Sequence, residues 1–169
     1  NLKPKKDKGK KQKIYAFIPI KGKSKKINNT YLINFTISIL KKSKIFDEIF
    51  VITDDVKTAE IAKKNGASVP FIRPKYLSKP YMGIVDVIQY AYNEITKIYK
   101  NPNLIGIFEE IYPFRDLDIL KGMLHEINSE KYDTLIATKY EPRGIFINNK
   151  EVTKTDLDRF MPSKYKSKK

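Results

Sequence analysis

The chain has 169 residues, enough for one domain with a real core, and its 41% hydrophobic content suits a folded globular protein rather than a disordered one. It has no cysteine and one histidine, which excludes disulfides, thiolate metal sites and most histidine-based metal clusters. The formal net charge is +15, but residues 1–13 hold seven lysines and one aspartate and residues 161–169 hold four more lysines, so the ends carry most of it.

Three segments follow: a basic tail over 1–13, an α/β domain over 14–160 and a basic tail over 161–169. The tails read either as solvated, mobile lysine runs or as non-specific electrostatic contacts to RNA or another anionic partner. No apolar run approaches the roughly 20 residues needed to span a bilayer. The lysine-rich start has no apolar stretch behind it, unlike a secretory leader, so the expected compartment is the cytoplasm.

The first expected element is a buried strand over 14–20, an apolar run broken by the polar loop Lys21-Gly22-Lys23-Ser24-Lys25-Lys26. Leu32, Phe35, Ile39 and Leu40 then mark a helical stripe over 31–43. A second strand over 49–52 stops at Thr53-Asp54-Asp55. A helix over 58–65 follows, with Ile61 and Ala62 inward and Gly66 placed to end it in a left-handed turn. Short strands are expected over 69–72, 104–108 and 134–138, and helices over 83–99 and 117–127. In the helix over 83–99, Val87, Ile88, Ala91, Ile95 and Ile98 share one side. The last expected element is a hairpin pairing 144–147 with 151–153.

Strands alternating with helices call for right-handed crossovers and a mostly parallel sheet covered on both faces. Ligands of such sheets sit beyond the carboxyl ends of the strands. Four loops lie there: 21–26, 53–55, 73–82 and 109–115. In the first, Gly22 permits close backbone approach, and Lys21, Lys23, Lys25 and Lys26 beside Ser24 suit a polyphosphate, without the spacing of a Walker loop. Asp54 and Asp55 suit Mg²⁺, a ribose or a helix N-cap, with capping expected of one of them. Arg73 suits a base, a phosphate or a surface acid. Glu109 and Glu110 suit Mg²⁺, and Arg115 suits a bidentate grip on a carboxylate. His125, on the helix over 117–127, reads as a surface or core-edge histidine.

Together these loops resemble the acylneuraminate cytidylyltransferase family, the CMP-sialic acid and CMP-Kdo synthetases. Residues 18–27, Ile-Pro-Ile-Lys-Gly-Lys-Ser-Lys-Lys-Ile, resemble that family's I-P-A-R-G-G-S-K-R-I. Ile52-Thr53-Asp54-Asp55 resembles S-T-D-D, and Tyr112-Pro113-Phe114-Arg115 resembles the end of Q-P-T-S-P-L-R. The most similar stretch runs from Ala59 through Gly66-Ala67 and Val69-Pro70-Phe71-Ile72-Arg73-Pro74 to Asp86-Val87. The resemblance spans about residues 14–140.

It implies a three-layer α/β/α Rossmann-like nucleotidyltransferase domain that moves CMP from CTP to a sugar acid of sialic-acid or Kdo type, with Mg²⁺ and release of pyrophosphate. Lys21, Gly22, Lys23, Ser24, Lys25 and Lys26 would then hold the nucleotide, with Arg73 near the cytidine. Lys21, Lys25 and Arg115 would serve the reaction, Arg115 at the sugar-acid pocket, and Glu109 or Glu110 would hold the metal. A homo-oligomer, or a place within a larger enzyme, is the expected context. Two departures accompany the resemblance. The family's P-x-K-N after the phosphate loop is replaced by Asn28-Asn29-Thr30-Tyr31, and its D-T-A-S-S by Pro80-Tyr81-Met82-Gly83-Ile84, where Tyr81 and Met82 would crowd a cytosine. A second reading is therefore a catalytically inactive domain of this fold, kept as a binding or scaffold module.

Overall fold

The computed structural model describes residues 12–129 and 131–138, with the backbone of 145–147 and 150–152. The tails before residue 12 and after residue 152 lie outside the described residues, as do Gly144 and Thr153 of the expected hairpin. Gln12 and Lys13 precede the first strand directly. The Lys13 N–H donates to Asn103 Oδ1 at 2.8 Å, and the Lys13 carbonyl accepts from the Asn103 N–H at 2.7 Å.

The sheet is built on β1 (Ile14–Ile20), which pairs in parallel with β4 (Glu48–Thr53) on one side and β5 (Leu104–Ile107) on the other. Every β1 residue is buried except Pro19, which is half-buried. Side chains alternate across a strand, so Ala16, Ile18 and Ile20 face one layer while Tyr15 and Phe17 face the other. A central strand covered on both faces reads as a continuous apolar run, which is why β1 shows no polar alternation.

The first layer is α1 (Leu32–Ser43) and α2 (Val56–Lys64), which place Ile33, Ile37 and Leu40, and Ala59 and Ala62, against β1 and β4. The second is α3 (Ile84–Thr96), whose Val87, Ala91 and Ile95 pack with Tyr15, Phe17, Phe50 and Ile52. The domain is thus the expected three-layer α/β arrangement. Its chain leaves β1 to one side through α1 and returns through α3 to the other. The strand order therefore reverses at β1, the kind of point where α/β sheets form a crevice at their carboxyl ends.

Gly66 takes φ +82°, the left-handed turn expected after the second helix, and an added Cβ would meet Lys41 Nζ at 2.6 Å. The hairpin expected near residue 148 is present as β6 (Ile145–Ile147) paired antiparallel with β7 (Lys150–Val152). α4 (Leu117–Asn128) begins at Asp116, whose carboxylate accepts from the Asp118 N–H at 2.7 Å, and His125 on it is exposed.

Several expectations need correction. The strand expected over 69–72 is absent; the one parallel bridge to β4 lies just before it, between Ser68 and Phe50. Pro70 and Pro74 lack N–H donors, so the segment cannot build a ladder along β4. Residues 134–138 form no strand, and Ile136 is 69% exposed. The α1 stripe is rotated from the expected one. Ile33, Thr36 and Ile37 are its buried centre while Phe35 and Ile39 are half-buried, because α1 must face both the sheet and α2. Ile98 lies beyond the end of α3 and is exposed.

A feature not anticipated is the hairpin of β2 (Lys26–Ile27) and β3 (Thr30–Tyr31), turned by Asn28 and Asn29 at φ +47° and +64°. Two successive positive-φ residues define the two-residue turn that asparagine tolerates, and the Asn-Asn pair was its sequence signal.

Candidate functional site

The crevice at the carboxyl ends of β1, β4 and β5 collects all four loops marked by the sequence. At its centre is the lysine loop after β1, held from three directions. From β4, Asp54 Oδ1 accepts the Gly22 N–H at 2.7 Å. From α2, Thr58 Oγ1 accepts the Ser24 N–H at 3.0 Å. From the segment after β5, Glu110 accepts twice, from the Ser24 hydroxyl at Oε2 and from the Lys25 N–H at Oε1, the latter at 3.2 Å. The Ser24 oxygen in turn accepts the Ile33 N–H at the start of α1, at 3.4 Å.

Gly22 sits at φ +69° with open space where a Cβ would lie. The glycine therefore serves the turn, while its N–H braces Asp54. Lys21, Lys23, Lys25 and Lys26 are all exposed around the loop, and Lys26 Nζ lies 4.5 Å from the centre of the Tyr31 ring. A cleft of about 190 Å³ opens beside the loop, bounded by Lys23, Lys26, Lys57 and Thr58 among others. It has room for a phosphate group but not for a whole nucleotide, whose pockets span several hundred Å³.

The two aspartates after β4 divide their work. Asp55 caps α2, its Oδ1 accepting the Thr58 N–H at 2.7 Å and the Thr58 hydroxyl at 2.8 Å, the capping role expected of one of the pair. Asp54 instead meets Arg73, whose Nη2 lies 3.4 Å away and whose Nε donates to Ser78 Oγ at 3.1 Å. Arg73 is 4% exposed, so the structure seats it beneath the loops as an internal brace. Burial raises the Asp54 pKa, but hydrogen bonds from Ser78 and the Gly22 N–H, with the charge of Arg73, outweigh that and hold it below the ordinary carboxylate value. Burial lowers the Arg73 pKa against the opposing pull of Asp54.

The adjacent glutamates also part. Glu110 is buried with both oxygens engaged by the lysine loop, whereas Glu109 is exposed. Arg115 ties this segment to α1, donating from Nη1 to Thr36 Oγ1 at 3.2 Å and from Nη2 to the Glu109 carbonyl, with its guanidinium 5.3 Å from the Phe108 ring centre. Burial lowers its pKa, opposed by Glu109. Tyr81, expected to crowd a base, is 51% exposed with Lys79 Nζ 5.8 Å from its ring, while Met82 packs into the α3-side core. Thr58, Ser78 and Thr36 carry no motif and were not anticipated. Only the fold brings them to the loops.

A parallel α/β sheet with a lysine loop at its switch point is consistent with the Rossmann-like nucleotidyltransferase fold. Residues 20–79 match the family model described as cytidylyltransferase. The chain is 29% identical over 148 residues to the pseudaminic acid cytidylyltransferase of Campylobacter jejuni subsp. jejuni serotype O:2, covering 80% of this chain and 64% of that protein. It is 26% identical over 134 residues to the N-acylneuraminate cytidylyltransferase of Escherichia coli O18:K1:H7, covering 74% of this chain and 31% of that protein. The chain thus spans less than two thirds of the length of these relatives. These similarities agree with the likeness to the acylneuraminate cytidylyltransferases that its motifs carry.

Proposed function

We propose that this chain binds CTP at the crevice over β1 and transfers CMP to a sugar acid of the pseudaminic or N-acylneuraminic type, releasing pyrophosphate. The observation that carries this reading is the convergence of the loops 21–26, 53–55, 73–82 and 109–115 at one strand-order reversal, with the four loop lysines exposed there. The names of the similar proteins support the cytidine nucleotide and the class of sugar acid.

In this reading Lys21, Lys23, Lys25 and Lys26 screen the triphosphate, and Lys21 and Lys25 stabilise the charge that grows on the pyrophosphate as the bond from the α-phosphorus breaks. Arg73 acts from below, keeping Asp54 charged and Gly22 in place. Arg115 offers its remaining donors to the sugar carboxylate.

Mg²⁺ is the cation implied by the family. Glu110 does not fit as its ligand, since both carboxylate oxygens already accept from protein donors. Among the described residues no three His, Cys, Asp or Glu side chains form a metal-holding group. Exposed Glu109 fits as one carboxylate completing a shell of phosphate oxygens and water, the usual manner in which Mg²⁺ is held. The metal would supply charge neutralisation on the triphosphate.

Calorimetric titration with CTP, with and without Mg²⁺ and with ATP and GTP as controls, tests the reading. Selective CTP binding strengthened by Mg²⁺ is expected. No binding of any nucleotide would overturn it and leave the non-catalytic module, with salt-sensitive RNA binding through the basic ends the next assay. Arg115→Ala is expected to weaken sugar-acid binding far more than CTP binding, and equal losses would remove that role from Arg115. Among the described residues no helix is long and apolar enough to cross a membrane.

A further inference from the structure

The lysine loop already holds an anion. Its Ser24 hydroxyl and Lys25 N–H both point at the Glu110 carboxylate, one donor to each oxygen, and Glu110 is 7% exposed. A hydroxyl and a backbone N–H on a lysine-rich turn are donors that suit phosphate oxygens, and a carboxylate presents the same paired acceptors. The remaining loop amides in this network are also committed, Gly22 to Asp54 and Ser24 to Thr58.

The segment that delivers Glu110 is held to α1 by Arg115 on Thr36 and by the Phe114 ring 5.7 Å from that of Phe35, and Pro113 is buried, but its other apolar residues are not. Ile111, Tyr112 and Phe114 are 49%, 64% and 76% exposed, and α4 beyond them has no buried residue. A segment with so little apolar burial opens at lower cost than the sheet beneath it.

We propose that Glu110 is a resident competitor for the phosphate position of the lysine loop, and that it sets the affinity of the loop for polyphosphate. A triphosphate must take Ser24 Oγ–H and Lys25 N–H from Glu110, and the carboxylate, repelled by the arriving phosphates, moves out with the 109–114 segment. The conformation with Glu110 in place is therefore closed to polyphosphate. The apparent affinity is reduced by the fraction of molecules in which Glu110 occupies the loop. This inference rests on the nucleotide-binding reading of the same crevice, but its ligand is the phosphate chain alone.

The test is titration of the full chain with inorganic pyrophosphate in the absence of divalent cation, comparing wild type with Glu110→Gln and Glu110→Ala. Removing the competing charge is expected to tighten pyrophosphate binding by about tenfold in Glu110→Gln. Glu110→Ala is expected to gain at least as much if its thermal unfolding shows an intact fold. Glu110→Gln keeps the shape and one oxygen acceptor while removing the charge, so it carries the test if the alanine variant does not fold. Unchanged, weaker or undetectable pyrophosphate binding in folded Glu110→Gln overturns the proposal, and weaker binding would make Glu110 a brace that preorganises the loop. CTP against ATP on the same variants separates the two readings. Selective CTP binding without a pyrophosphate gain removes the competitor and keeps the cytidylyltransferase reading. A pyrophosphate gain with no preference for CTP does the reverse.

Discussion

Phe50→Ala is expected to destabilise the domain by about 3–5 kcal/mol, the cost of truncating a fully buried phenylalanine. Phe50 lies in the middle of β4 with no exposed surface, opposite Phe17 in the register of the central strand pair. Its ring meets three others edge-on, with centres 5.2 Å from Tyr15, 5.8 Å from Phe17 and 4.9 Å from Tyr99. Such pairs each contribute about 0.5–1.5 kcal/mol beyond area burial, so alanine loses packing on several sides at once. A typical domain has only about 5–15 kcal/mol of stability, and this loss is a large share of it. Urea unfolding monitored by circular dichroism measures the difference, with Phe50→Leu as the milder control. A loss below about 1 kcal/mol would contradict a tightly packed α3-side core.

Asp54→Ala is expected to cost about 3 kcal/mol, the lower end for breaking a buried ion pair because Asp54 keeps 18% side-chain exposure. Two losses combine. Arg73, only 4% exposed, is left as a buried charge without its counter-ion, and the Gly22 N–H loses its acceptor. The second loss reaches the site, since the lysine loop keeps its ties to Thr58, Glu110 and the start of α1 but loses the one at the Gly22 N–H.

The pH dependence has a definite sign. The Asp54 pKa is lower in the folded protein than in the unfolded chain, so its contribution is fully present above the unfolded value. That contribution is lost as pH falls below about 4 and through the lower folded value. Asp54→Asn should therefore reduce stability at neutral pH and flatten the acid limb of a stability–pH curve. Parallel curves for wild type and Asp54→Asn would show that Asp54 titrates alike in both states and would remove this role.

Much of the architecture was legible because it depends on short-range pattern. An unbroken apolar run marked β1, a glycine after a helical stripe marked the turn at Gly66, and an acid before α2 marked its cap. The failures have equally local causes. Pro70 and Pro74 cannot donate, so an apolar run that looked like a strand stayed unpaired beyond the bridge at Ser68. Residues 134–138 have strand composition, but a strand exists only with a partner, and none of the described strands pairs with them.

At the site, residue type marked which loops would meet without showing how each side chain would be used. The sequence by itself determined the α/β class, the lysine loop after β1 and the family likeness, since these rest on periodicity and on motifs contiguous in the chain. Only the tertiary structure decided that Arg73 is buried under Asp54, that Arg115 ties the 109–115 segment to Thr36, and that Glu110 rather than Glu109 fills the lysine loop. Glu109 and Glu110 are adjacent and chemically alike. Which one turns inward depends on the path of the chain leaving β5 against donors that lie 86 residues earlier, and no local pattern encodes that distance.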